Sequence, residues 1–293
     1  MTTLHQLTLQ VPQAQAAIFA ALFEDDALAV TVQAPPRQAL AEISVLYNMP
    51  PAADAVTVLL QDAAEQNKWA MPKFIIAALA QEDWLQRVAQ ATPPRRIGRL
   101  LIHGAHDKDK VTTALPRLQI EAATAFGTGE HPSTQMCLML LQEVLQHRTP
   151  RRALDVGCGS GILALALARL AHRRSLAVDC DAESVRLTRE NARINGLSHW
   201  VTALPGAGYQ PSAVRRGRPY DLVFANIFAR PLMALAVDLR AHLAPGGHAI
   251  LAGLLTSQAL MVLAAHRMQR LHLVRQIRQG EWSALLLKKG QRR

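Results

Sequence analysis

The stretch Ala153–Leu154–Asp155–Val156–Gly157–Cys158–Gly159–Ser160–Gly161 constrains this chain more than any other. An apolar run of strand length enters it, and Ile162–Leu170 leaves it with the apolar spacing of a helix, so the glycines read as the turn of a strand–turn–helix unit. Glycine at every second position lets backbone approach a ligand where any Cβ would collide. A dinucleotide-binding turn has the form G-x-G-x-x-G. Here the third glycine comes one residue early, as G-x-G-x-G, which favours a nucleoside carrying an amino acid over a pyrophosphate.

The surrounding pattern agrees with an α/β architecture. Strands expected at Ala153–Val156, Leu176–Asp179, Val201–Leu204, Asp221–Ala225 and Ala249–Ala252 alternate with helical stretches, as in a doubly wound sheet. Leu271–Gln279 and Trp282–Lys288, joined by Gly280, read as an antiparallel hairpin at its edge. Residues 1–90 read as a small α+β domain, with strands at Leu7–Val11, Ala29–Val32 and Ala55–Leu60 and helices at Ala14–Phe23 and Trp69–Gln90. Between the two, Ala91–Pro94 and Arg95–Gly98 punctuate the chain, and His103–Lys110 is too polar for burial. Residues 91–118 are therefore expected as a linker, ahead of a catalytic domain over 119–293.

With 293 residues, half of them hydrophobic, the chain can bury a large core. No apolar run reaches the roughly 18 residues that span a bilayer, and Met1–Pro12 has neither a basic start nor a continuous apolar core, so a cytoplasmic protein with no membrane partner is expected. Cys137, Cys158 and Cys180 form no C-x-x-C pair and indicate neither a disulfide framework nor zinc. The pair His103-x-x-His106 lacks a third ligand nearby, and no metal is expected. Charge divides the chain: residues 1–90 carry a net −5 and the rest +15 of the total +10. The basic part suits work near nucleic acid or a ribonucleoprotein, or merely solvated faces; the acidic part suits a basic protein substrate.

Several side chains could carry chemistry. Asp179 ends the second strand, where a carboxylate can accept from both ribose hydroxyls; it directly follows the apolar Leu176–Val178, whereas Asp181 is placed to cap the next helix. Asp155 reads as structural, or as a holder of the ligand's amino group. Asn226 closes the fourth strand at the sheet's carboxyl edge, as a turn residue or as an acceptor for an attacking amine. Enzymes that methylate planar amino groups commonly carry an N-P-P-Y type motif here; Asn226–Ile227–Phe228–Ala229 has no proline and no aromatic at its last position, though Phe228 could wall a pocket. In Phe126–Thr134, His131–Pro132–Ser133–Thr134 leads to a helix expected to start near Gln135, with Thr134 capping it or bonding a cofactor. His131 reads as structural, as a substrate contact or as a base.

Ala125–Phe126–Gly127–Thr128–Gly129–Glu130–His131–Pro132–Ser133–Thr134, Asp155–Gly161, Ala225–Asn226–Ile227 and Gly253–Leu254–Leu255 with Gln258 resemble, in that order, the PrmA family. This is a family of class I S-adenosylmethionine-dependent enzymes that methylate bacterial large-subunit ribosomal protein L-eleven (L11). Asp83–Trp84, Arg96–Ile97–Gly98 and Glu281–Trp282 extend the likeness, which covers about residues 82–293. The resemblance implies a Rossmann-like, seven-stranded methyltransferase sheet preceded by a small α+β domain, residues 1–90, that recognises the substrate. It implies S-adenosyl-L-methionine as cofactor, contacted by Thr134, Gly157, Asp179 and Asn226, with Asn226 also positioning the amine as the catalytic residue. Methyl groups would pass to lysine side chains or the N-terminal α-amine of L11, free or ribosome-bound, from a monomer with no direct nucleic-acid specificity. Glu130 stands where many relatives have threonine or histidine, and Ser133 where threonine is usual. An RNA or DNA methyltransferase and a non-catalytic ribosome-assembly factor are the alternatives.

Overall fold

The computed structural model describes residues 4–23, 27–33, 39–79, 93–108, 113–121, 129 and 131–290. By its internal contacts the chain forms two compact units, Met1–Val88 and Ala89–Arg293.

In the first unit β1 (Leu4–Pro12), α1 (Ala16–Ala21), β2 (Ala29–Gln33), β3 (Leu40–Tyr47), α2 (Ala53–Asn67) and β4 (Phe74–Leu79) follow one another. The sheet order is β2-β3-β1-β4 with every neighbouring pair antiparallel, the split βαβ arrangement. Leu7, Leu9 and Val11 alternate onto one face of β1 beside Ala41, Ile43 and Val45 of β3, and Phe19, Val56 and Leu60 of the helices cover that face. Two sequence expectations are corrected here. Ala55–Leu60 lies inside α2, whose buried residues Val56, Leu60, Ala63 and Ala64 share one helical face; over six residues that spacing passes for a strand. A helix over Trp69–Gln90 is interrupted because α2 already ends at Lys68, left-handed at φ 57°, and the apolar run Phe74–Leu79, with β-branched Ile75 and Ile76, pairs with β1. Residues 80–90, with Asp83–Trp84, lie outside the described residues. No strand is expected from the sequence over Leu40–Tyr47, yet it forms β3.

The second unit opens with β5 (Arg95–Ile97), β6 (Leu100–His103) and β7 (Arg117–Gln119), a small sheet within the segment expected as a linker. Ile97, Leu100, Ile102 and Leu118 join the unit's core, and His103 and Asp107 are buried despite the polarity of their surroundings. His103 Nδ1 lies 2.8 Å from the Gly104 carbonyl and His106 Nε2 2.9 Å from Asp107 Oδ2, which is how these polar groups are accommodated. Then come α3 (Pro132–His147), β8 (Ala153–Val156), α4 (Ile162–Ala171), β9 (Ser175–Asp179), α5 (Ala182–Ile194), β10 (Val201–Pro205), α6 (Ser212–Gly217), β11 (Tyr220–Asn226), α7 (Ala229–Ala234), α8 (Ala236–His242), β12 (Leu243–Leu255), α9 (Ala259–Met268), β13 (Leu271–Gln279) and β14 (Trp282–Lys289). The seven strands order as β10-β9-β8-β11-β12-β14-β13. The first five are parallel, and β14 runs antiparallel to both its neighbours, so the terminal hairpin closes the sheet as the sequence pattern indicates. Side chains alternate along β11: Leu222 and Phe224 enter the core under α3 and α4, Val223 and Ala225 the core on the opposite face. The result is the Rossmann-like α/β sheet expected. Among the described residues no helix is long and apolar enough to cross a membrane.

Leu60 is fully buried in the first unit's core. Leu60→Ala should cost that unit about 2–5 kcal/mol, read as a lower urea midpoint at unchanged slope.

Candidate active site

The carboxyl ends of β8, β9, β10, β11 and β12 meet around one cavity of about 980 Å³, within the range of small-molecule sites. Its floor is the glycine turn. After Val156 the chain reverses at Gly157 (φ 70°), whose amide and that of Cys158 both donate to the Val178 carbonyl of β9, at 2.8 and 3.1 Å. A methyl group on Gly157 would overlap the Ile227 side chain. Gly253, at φ 81°, is as tight: a Cβ there would stand 2.6 Å from the Ile227 carbonyl oxygen. Side chains then fix the turn. Gly159 donates its amide to Asp179 Oδ2 at 2.9 Å, and its carbonyl accepts from Thr188 Oγ1 at 2.9 Å. Asp179 Oδ1 accepts from the Asp181 amide at 3.0 Å, while Asp181 caps α5 by accepting from the amides of Glu183 and Ser184. Asp181 is thus the helix cap that its sequence position suggests.

The start of α3 differs from expectation. The helix begins at Pro132, and His131 is its cap, Nδ1 accepting from the Ser133 amide at 3.2 Å. Proline at the first helical position, with no N–H to satisfy, makes the earlier start possible. Burial lowers the His131 pKa, which keeps the capping nitrogen free to accept, and its ring meets Trp282 edge-on at 4.4 Å. Thr134 is therefore no cap: it lies fully buried in the first turn, and its Oγ1 accepts from Asn226 Nδ2 at 3.2 Å. Asn226 Oδ1 is buried, and among the described residues no donor reaches it. Thr134, Gly157, Asp179 and Asn226 all line the cavity. Phe228 stands at its mouth, 76% exposed. Phe126–Thr128 and Glu130 lie outside the described residues.

Asp155 does not line the cavity. Its carboxyl is buried beneath the turn, where Oδ2 accepts from the Ala164 amide of α4 at 3.2 Å and Oδ1 has no partner among the described residues. Burial, with a smaller push from Asp179, raises its pKa to about 7 against the pull of the Ala164 amide. The position fits its structural reading. Sequence reasoning missed the wall formed by Gly206, Ala207, Gly208 and Tyr209 after β10, as well as Asp238 and Trp282. A G-x-G pair directly after an apolar strand, Gly206 and Gly208, was the available signal. Among the described residues no group of three His, Cys, Asp or Glu could hold a metal ion.

This sheet order, with a glycine turn and a strand-end cavity, defines a Rossmann-like methyltransferase fold. The crystal structure of ribosomal protein L11 methylase from Lactobacillus delbrueckii subsp. bulgaricus superposes with a TM-score of 0.61 at 26% identity, covering 68% of this chain and all of that one. The profile of PrmA, described as ribosomal protein L11 methyltransferase, matches residues 7–290, and the chain belongs to this family. Relatives named ribosomal protein L11 methyltransferase share 45% identity over 208 residues in Bradyrhizobium diazoefficiens, 71% of this chain and 70% of the relative. The relative in Rhodopseudomonas palustris shares 39% over 267 residues, 91% and 90%.

Two outcomes follow from the turn. Gly253→Ala should destabilise the second unit by about 1–3 kcal/mol in denaturant unfolding, since an L side chain is strained at that φ even before it meets Ile227. Asp155 binds its proton more tightly folded than unfolded, so its contribution to stability is full below the ordinary carboxylate pKa of 3.8 and is lost as pH rises to about 7. Asp155→Asn should remove that decline, seen as a flatter stability profile between pH 4 and about 7.

Proposed function

We propose that this protein methylates amino groups of ribosomal protein L11, on lysine side chains or the N-terminal α-amine, using S-adenosyl-L-methionine. The reading is carried by the buried, unpartnered Asn226 Oδ1 beside a cavity in a chain of this family. The residues present fit the cofactor. The cradle at Gly157 admits no Cβ, Asp179 faces the cavity with acceptor capacity to spare for ribose hydroxyls, and Thr134 and Asn226 form a polar pair across from it. When bound, the cofactor supplies a methyl group activated by the sulfonium charge.

The protein's part is to present a neutral amine. At pH 7 a lysine ammonium gives up its proton at a cost of roughly 4–5 kcal/mol, an α-amino group at about 1.4. Asn226 Nδ2 is committed to Thr134, which orients the carboxamide and leaves Oδ1 to accept from the amine N–H. Ile227 and Phe228 supply apolar surroundings that favour the uncharged amine. No carboxylate base is required, and Asp155, being buried beneath the turn, is not assigned that role. Asn226 is thus the proposed catalytic residue, and Thr134, Gly157, Asp179 and Asn226 the proposed cofactor contacts.

Residues 1–90 are proposed as the substrate-recognition domain, joined through 91–118 to a catalytic domain over 119–293; their net −5 charge suits a basic ribosomal protein. A ribosomal substrate, free or assembled, places the protein in the cytoplasm, and we assign it as a monomer. Intact-mass spectrometry of L11 incubated with the protein and S-adenosylmethionine tests the reading: steps of one methyl group are expected, and transfer to RNA alone would overturn it. Asn226→Ala should lower turnover by at least about tenfold with cofactor affinity, measured by calorimetry, changed far less; unimpaired turnover would refute the role given to Asn226.

A further inference from the structure

The strand registers set one row of residues level across the large sheet: Ser175, Ala153, Leu222, His248, Lys288 and His272. That row marks the sheet edge away from the cavity, roughly 13 Å from Asp179 along β9 at about 3.3 Å per residue. The connections entering this edge are arginine-rich. Arg173 and Arg174 precede β9, Arg151 and Arg152 precede β8, and Arg216 and Arg218 precede β11, all exposed. Lys288 near the end of β14 and Arg270 before β13 continue the row on the hairpin. From β9 to β13 the row runs about 24 Å, at about 4.8 Å per strand.

Asp221 lies at this edge and is already engaged. Its Oδ2 accepts from the Arg151 and Arg152 amides at 2.8 and 3.1 Å, and its Oδ1 lies 3.5 Å from Arg148. Among the described residues no carboxylate reaches the guanidinium of Arg151, Arg173, Arg174, Arg216 or Arg218. Arg173, Arg174, Arg216, Arg218 and Arg270 lie at or just beyond the carboxyl ends of α4, α6 and α9, where cations are favoured, whereas Arg151, Arg152 and Lys288 extend the row away from those helix ends. Unpaired like charges at this spacing repel, and a polyanion would relieve that repulsion. At the β10 end the row finishes in a ring cluster, with Trp200 4.9 Å from His199 and 5.9 Å from His172.

The geometry points to a sequence-independent RNA-binding edge on the side of the sheet opposite the cavity, gripping backbone phosphates with the arginine row and stacking a base on the His172–Trp200–His199 rings. Its length matches about seven nucleotides at 3.4 Å per nucleotide. The exposed residues directly beside the arginines are polar or proline, and Met268 near Arg270 is an isolated exposed aliphatic side chain, too little apolar surface to anchor on a lipid bilayer. The inference does not rest on the identity of the methylated protein.

The test is fluorescence anisotropy of a labelled single-stranded RNA of arbitrary sequence with the full-length protein across a potassium chloride series. The combined variant Arg151→Gln, Arg173→Gln, Arg174→Gln, Arg216→Gln should weaken binding at least about tenfold and reduce the log–log salt slope by about three, roughly 0.7 per phosphate contact on a single strand. Methyl transfer to free L11 and the thermal midpoint should not change, because none of the four side chains lines the cavity or, among the described residues, holds a hydrogen-bond or ion-pair partner. The smaller pair Arg173→Gln, Arg174→Gln should reduce the slope by about 1.4. Substituting Arg186, Arg193 and Arg275, which sit in ion pairs elsewhere, should leave binding at the parent value. Parent-like affinity and slope in the four-site variant would overturn the proposal. So would an equal loss in the control, or capture of phosphatidylglycerol vesicles in preference to RNA.

Discussion

Ile227 sits where two backbones converge, with its side chain against Gly157 and its carbonyl against Gly253. Neither position tolerates a Cβ, so β8, β11 and β12 can close together at their carboxyl ends only with glycine on both sides of this one residue. Everything chemically useful depends on that closeness. Asn226, immediately before Ile227, is delivered within hydrogen-bonding distance of Thr134 on α3, and the turn below stays open enough to leave a cavity.

Polar bonds then hold what packing brings together. The Gly159 peptide is gripped from both sides, by Asp179 of β9 and Thr188 of α5, so the turn is tied to strand and helix alike. These bonds lie in surroundings poor in water, where each is stronger and each unmade one costlier than at the surface. Asp155 shows the other side of that balance: a carboxyl with one oxygen unsatisfied, kept near neutrality by burial. The site is therefore shaped by groups that never touch a ligand.

The large sheet was legible because its strands are short apolar runs ended by Gly, Asp or Asn, and because such runs alternate with longer helical ones. Asp179, Gly157 and Asn226 could be placed for the same reason, each following directly on a strand. Short ambiguous runs were misread instead. Ala55–Leu60 carries too few residues to separate a period of two from one of 3.6, and only its extension to Ala64 betrays the helix. Of the two roles open to Thr134 in the sequence, helix cap or cofactor contact, the first belongs to His131; Pro132 marks the true first turn, but histidine is an uncommon cap and gives no cue. The wall after β10 was overlooked because a cavity gathers residues by topology, and Tyr209 or Trp282 carries no local sign of the neighbours it will meet.

Two asparagines, Asn191 in α5 and Asn195 at its carboxyl cap, act as a substitute strand for the chain that leads into the site. Asn195 exchanges two hydrogen bonds with the Gln119 peptide, and Asn191 does the same with Glu121 while also donating to the Ser160 carbonyl of the glycine turn. Asn195 is followed by Gly196, a pairing that offers the side-chain amide little steric shelter from attack by the next backbone nitrogen. Conversion of that amide to a carboxylate would set two acceptors face to face at Gln119 and undo the seam from one end. The enzyme's shelf life would then be written in one carboxamide nitrogen, lost without any break in the chain.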